Sequence, residues 1–130
     1  MRQYLAEVLP PASDLRVADS CGGWLGLSPA VAVFDVTLPE GADLDTLATG
    51  LGTWSRQASL PGFVDEAGKP VGLAATVLDG KDCLRHLRPD AEAILFGPLP
   101  GLYFQSRDQS VLVVLPDGHP GLGILFTQGR

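Results

Sequence analysis

Two cysteines and two histidines are the residues of this chain whose types could support catalysis or metal binding. Cys83 and His86 stand three positions apart, a spacing that zinc ligands use. Cys21 and His119 would complete a tetrahedral set if the fold brought the four side chains together. Structural zinc sites usually show two recognisable ligand pairs, whereas this sequence shows one. A buried Cys83 beside a solvent-exposed His86 on one helix is the simpler explanation, so we expect no metal site.

Cys21 could also act as a nucleophile, because it precedes two glycines whose backbone amides could hold an oxyanion while a histidine served as base. The alternative is a small residue in a tight turn. Gly22-Gly23 lacks the spacing of a phosphate-binding loop, and we expect no cofactor. A small thiol- or metal-dependent enzyme using Cys21, Cys83 and His86 is therefore the third of three functional hypotheses.

Three charged residues are weaker candidates for a binding site. Arg85 and Arg88 lie one helical turn apart and could bind an anion or a carboxylate, although such pairs are more often part of a solvated helix face. Asp35 interrupts an otherwise apolar strand, and the alternation of that strand predicts an exposed carboxylate.

Composition limits the possible partners and the location. Nine Lys and Arg against 15 Asp and Glu give a net charge of −6 and a pI near 4.6. Such an acidic chain repels nucleic acid and anionic membranes, and we expect neither as a partner. No segment approaches the roughly 18 apolar residues of a membrane span, and no signal peptide is evident. We therefore expect a cytoplasmic protein whose two cysteines are free thiols.

The strongest helical pattern lies at residues 44–58. Its apolar stripe consists of Leu44, Leu47, Ala48, Leu51, Trp54 and Ala58. The opposite face carries the small, uncharged residues Thr46, Thr49, Gly50 and Thr53. A freely solvated helix usually carries Lys and Glu on that side, so this face either lets another helix approach closely or merely tolerates its glycine.

The stretch from Ser110 to Phe126 predicts the centre of a sheet. Its first strand is apolar on both faces, which requires cover on both sides, and a partner could supply that cover at Leu112 and Val114. We therefore predict one α+β domain over residues 1–130. It has an antiparallel sheet of about five to seven strands, with the 44–58 helix on one face and a short helix near 80–88. Predicted strands are 14–18, 30–38, 93–97, 102–106, 110–115 and 122–127. Residues 71–78 fit a strand or a buried segment, and 2–9 fit a helix or a strand.

Residues 101–126 carry a family resemblance. Their Val-Leu-Val-Val-Leu strand, Pro-Asp-Gly-His-Pro-Gly loop and Leu-Gly-Ile-Leu-Phe return resemble the last three strands of roadblock/LC7 domains. The helix at 44–58 would match the central helix of that family. The resemblance implies a small non-catalytic scaffold that dimerises through this helix and a sheet edge, and some members bind or regulate small GTPases.

The leading hypothesis is a non-enzymatic protein-interaction module that acts as a homodimeric adaptor or regulator, with a small GTPase as a conceivable target. Its candidate interface comprises Thr46, Thr49, Gly50, Thr53, Leu112 and Val114. A low charged fraction of 18%, against about 25% in an average protein, also favours association. The alternative is a small acidic inhibitor, immunity protein or secretion chaperone that binds one specific protein.

Overall fold

A computed structural model describes residues 2–22, 30–44, 50–62 and 65–128. In chain order the elements are α1 (Arg2–Val8), β1 (Asp14–Gly22), β2 (Ala30–Thr37), β3 (Gly52–Gln57), α2 (Leu73–Leu87), α3 (Ala91–Phe96), β4 (Gly101–Ser106), β5 (Val111–Pro116) and β6 (Leu122–Thr127). The strands form one six-stranded sheet in the order β1-β2-β6-β5-β4-β3, and every neighbouring pair is antiparallel. The predicted α+β class and antiparallel sheet are confirmed.

Strand β5 lies inside the sheet and is covered on both faces, as its doubly apolar sequence predicts. Leu112, Val113 and Val114 are each 0% exposed. Because successive side chains point to opposite faces, Leu112 and Val114 belong to one core cluster and Val113 to the other. The chain itself therefore covers both faces of β5, which the sequence alone did not establish.

Helices α2 and α3 cover the first face. The buried side of α2 consists of Leu73, Ala74, Thr76, Val77, Gly80 and Leu84. A Cβ atom at Gly80 would lie 2.7 Å from Cγ2 of Val31, so glycine is what lets this helix approach the sheet so closely. The helix ends before Arg88, which is extended because Pro89 disfavours helical geometry in the residue before it.

Helix α1 packs on the second face. Its residues Leu5 and Val8 are fully buried in a cluster with Phe34, Trp54 and Phe104. Indole Nε1 of Trp54 donates a hydrogen bond of 2.7 Å to the backbone oxygen of Val8, and this bond fixes the end of the helix on the sheet. The N-terminal segment is thus helical, which is one of the two predicted alternatives.

Trp54→Phe is expected to lower the free energy of unfolding by about 1–3 kcal/mol, because the carbonyl of Val8 would stay buried without a donor. Urea denaturation measures this loss. Arg56→Ala on the same strand is the control: Arg56 forms an exposed ion pair with Asp117, and its loss should cost no more than about 1 kcal/mol. Equal effects of the two substitutions would contradict the assigned role of Trp54.

The location of the main helix is a correction to the sequence analysis. The predicted helix at 44–58 is wrong over 52–57, which form β3, and residues 50–51 lie in a turn. Two glycines weaken helical propensity here, and Trp54 is buried opposite Phe104 as the inward residue of an alternating strand. Residues 45–49 lie outside the described part of the chain. The main helix is α2, which extends the short helix predicted near 80–88 back to Leu73.

Two neighbouring assignments also change. Residues 73–78 belong to α2, so the strand interpretation of 71–78 is wrong. The buried-segment interpretation fits only the middle of this stretch, because Val71 and Leu78 are exposed. Residues 93–96 belong to helix α3 and not to a strand. Among the described residues, no helix combines the length and apolar character that a membrane crossing requires.

Candidate functional site

The two cysteines form a disulfide with each other, which corrects the expectation of free thiols. Cys21 lies near the end of β1 and Cys83 in α2, and their Cα atoms are 5.9 Å apart. The register of β1 on β2 brings the strand end beneath the helix, so residues 62 positions apart in sequence become neighbours. Neither sulfur is available as a nucleophile or a metal ligand while this bond is intact.

The four residues considered as possible metal ligands are not brought together as one group. His86 is exposed on α2, and His119 lies in the β5–β6 loop. Within the described ranges, no group of three or more His, Cys, Asp or Glu side chains is placed to hold a metal ion. The geometry thus offers no support for the hypothesis of an enzyme that uses Cys21, Cys83 and His86.

An apolar groove lies between α2 and α3. We name it the α2–α3 groove, and it is lined by Pro61, Gly62, Pro70, Ala74, Val77, Leu78, Lys81, Leu95 and Phe96. Its volume is about 150 Å³, the size of a cavity that accommodates a benzene ring. Lys81 is the one charged residue among the described residues of this lining, so the groove suits an apolar occupant.

Exposed apolar side chains border this groove. Phe96 is 71% exposed and Leu78 is 42% exposed, and Val71 beside Pro70 is 41% exposed. Leu78 lies off the buried stripe of α2, and Phe96 is the last residue of α3. Leaving three large apolar side chains in water costs hydrophobic free energy that a contact with another surface would recover.

An arginine that is paired with carboxylates lies beside Phe96. The guanidinium of Arg85 lies 5.9 Å from the centroid of the Phe96 ring, at the outer limit of a cation–π contact. Arg85 also donates to Glu92 through Nε and to Asp82 through Nη1, the latter at 3.1 Å. The hydrogen bond to Glu92 is the main reason that the pKa of Arg85 is raised. The cation nearest the Phe96 ring is therefore already held by two carboxylates of the same chain.

A polar cleft of about 470 Å³ lies at the end of the sheet, beside the β5–β6 loop, and its charged or titratable lining groups are Asp35, Arg88 and His119. Arg88 donates from Nε and Nη2 to the two carboxylate oxygens of Asp90, at 2.7 and 2.8 Å. This bidentate contact, with a smaller contribution from His119, holds the pKa of Asp90 below its usual value. Asp35 is exposed, as predicted.

Both arginines of the predicted anion site are therefore already paired with carboxylates. Arg85 binds Asp82 and Glu92, and Arg88 binds Asp90. An incoming anion would have to compete with these groups, so the pair does not form a free cationic site.

The predicted interface residues are distributed over different parts of the fold. Gly50 and Thr53 are exposed, in a turn and on β3 respectively, whereas Thr46 and Thr49 lie outside the described residues. Leu112 and Val114 are 0% exposed beneath the helical layer, so they cannot contact a partner while the fold is intact.

The α2–α3 groove was not predicted from the sequence. Two features of the sequence could have indicated it: Leu78 lies outside the row of buried residues on α2, and Phe96 is followed directly by Gly97, which ends the helix.

No protein-family model, curated protein sequence or solved structure matches this chain. The C-terminal meander expected from the roadblock/LC7 resemblance is present as β4, β5 and β6. Residues 52–57, which that resemblance assigned to a central dimerisation helix, form an edge strand, and residues 45–49 of the same segment lie outside the described part of the chain.

Proposed function

We propose that this protein is a non-enzymatic interaction module that pairs with a second copy of itself through the α2–α3 groove, as an adaptor or regulator. The observation that carries the proposal is Phe96, which is 71% exposed beside an apolar groove of about 150 Å³. Aromatic side chains that fill apolar pockets are typical anchors of protein interfaces.

Self-pairing is supported by the presence of a protruding ring and a groove in one patch. In a two-fold symmetric dimer the same surface meets itself, so each copy must carry both complementary shapes. Phe96 of one copy would enter the groove of the other, whose volume is sufficient for an aromatic ring.

The proposed pairing does not depend on the redox state of the cysteines. The lining of the α2–α3 groove includes neither Cys21 nor Cys83. Disulfides persist mainly in oxidising compartments, whereas thiols stay reduced in the cytosol. The proposed dimer is therefore compatible with a cytoplasmic location for the reduced protein and with an oxidising compartment for the disulfide-bonded one.

Sedimentation velocity over a concentration series tests the proposal. We expect a concentration-dependent dimer in the native chain and a dissociation constant about thirtyfold higher in Phe96→Ala, which corresponds to a loss of about 2 kcal/mol summed over the two symmetry-related rings. Leu51→Ala is the matched control: Leu51 is an apolar residue, 36% exposed, that does not line the groove. A strict monomer at high micromolar concentration, or equal effects of the two substitutions, would contradict the proposal.

A further inference from the structure

We propose that the Cys21–Cys83 disulfide is a reducible latch that holds the second half of β1, residues 19–22, on the sheet. Its reduction would release this segment while the remaining sheet and α2 stay folded. This property is independent of the proposed dimer, because it concerns the opposite end of the sheet from β3 and no residue of the α2–α3 groove.

The two halves of β1 are held in place differently. In the first half, Leu15 and Val17 are half-buried and pack against the core cluster beneath α1. A shift of register after Val17 then interrupts the ladder at Ala18. Beyond this bulge Asp19 and Ser20 are exposed. The second half therefore has ladder hydrogen bonds and the disulfide, but no apolar anchor of its own.

The neighbours of this segment are held in place independently. Val31 and Ala32 of β2 are fully buried and pair with β6 on their other side. Helix α2 is anchored by its row of buried residues, which includes Leu84. It is also anchored by the Thr76 hydroxyl, which donates a hydrogen bond of 3.2 Å to the backbone oxygen of Gln109. Opening the disulfide thus removes a constraint on β1, whereas β2 and α2 are held in place without it.

Neither cysteine is fully enclosed in the core, which allows a reductant to approach the bond. Cys21 and Cys83 are both only partly buried. A thiolate of a reducing dithiol attacks one sulfur, breaks the Cys21–Cys83 bond and releases the other cysteine as a thiolate, which takes up a proton. The second thiol of the reductant then attacks the mixed disulfide and frees the first cysteine. Two electrons pass from the dithiol, which is left as a disulfide.

Release of residues 19–22 would change the surface of the sheet. In the latched state β1 pairs with β2 and shields the outer edge of that strand. Without the segment, the edge of β2 at Val31 and Val33 offers unpaired backbone groups to another strand. The latch would therefore couple the redox state of the surroundings to the availability of a strand-pairing edge.

Hydrogen exchange read by mass spectrometry tests the latch, with dithiothreitol as the reductant and Cys21→Ser/Cys83→Ser as the permanently open form. In both, peptides that cover residues 19–22 and 31–33 are expected to exchange at least about tenfold faster and to lose most of their protection, whereas β5 and β6 stay protected at the level that the lowered global stability sets. Ser20→Ala, which keeps the disulfide, is the control and should match the native chain.

Fluorescence of Trp54 serves as an independent readout of the intact core when it is recorded in a Trp24→Phe background, which removes the other tryptophan of the chain. The Trp54 side chain is 6% exposed on the far edge strand. Unchanged exchange at residues 19–22 after complete reduction would overturn the proposal. So would a loss of protection across the entire sheet together with a shifted Trp54 emission, since the disulfide would then hold the whole fold and not a single segment.

Discussion

Reduction of the Cys21–Cys83 disulfide is expected to lower the free energy of unfolding by about 4 kcal/mol. The two cysteines are separated by 62 positions, and cross-linking a loop of that length removes conformational entropy of about this magnitude from the unfolded chain. Domains of this kind are usually stable by about 5–15 kcal/mol, so the reduced protein should remain folded under native conditions but with a much smaller margin.

Urea denaturation with and without a reductant measures this effect. Cys21→Ser/Cys83→Ser should reproduce the stability of the reduced chain and should not respond to the reductant, which separates the loss of the cross-link from any other action of the thiol. A difference below about 1 kcal/mol between the oxidised and reduced chains would show that the cross-link constrains the unfolded chain far less than its length implies.

Gly123→Ala is expected to destabilise the fold by about 3 kcal/mol. This is the opposite of the usual effect in a strand, where alanine is favoured over glycine because it loses less conformational freedom on folding. Gly123 of β6 pairs with Phe34 of β2, and the Phe34 ring lies directly over it. A Cβ atom at this position would come closer than 3.0 Å to three atoms of the ring. Phe34 is 0% exposed, so its ring cannot turn into solvent to relieve this clash without leaving the core.

A double-mutant cycle separates this clash from a backbone effect. Phe34→Leu removes the ring, so Gly123→Ala should cost at least about 1 kcal/mol less in that background than in the native chain. Gly118→Ala is the matched control, because nothing lies within 4 Å of a Cβ atom there, and its effect should stay within about 0.5 kcal/mol. Additive effects of the Phe34 and Gly123 substitutions would contradict the assigned contact.

The strands were predictable from sequence where their own alternation was unambiguous. Val111 to Leu115 is apolar on both faces, and it is an inner strand. β3 was not predictable in this way, because Trp54 fits both the helical stripe of 44–58 and the inward positions of a short strand. Its contact with Phe104, whose ring centroid lies 5.6 Å away, decides between them. A tertiary contact of this kind is not visible in local periodicity.

The candidate site was harder to predict than the fold. A sequence pattern identifies apolar residues, but not which of them remain exposed after packing, and Phe96 became a surface residue because α3 ends there. The pairing of Cys21 with Cys83 depends on the placement of α2 above the end of β1, which involves elements far apart in sequence. The prediction of an interface on the small-residue side of 44–58 depended on that segment being a helix.

The strand order has a consequence for biosynthesis. β6 follows the other five described strands in the chain, yet it occupies an inner position between β2 and β5. The β1–β2 hairpin cannot join the other strands until Leu122–Thr127 has left the ribosome, so the two halves of the sheet stay separate until then. Nascent chains that lack these residues should depend on chaperones, and slow emergence of this strand should favour aggregation.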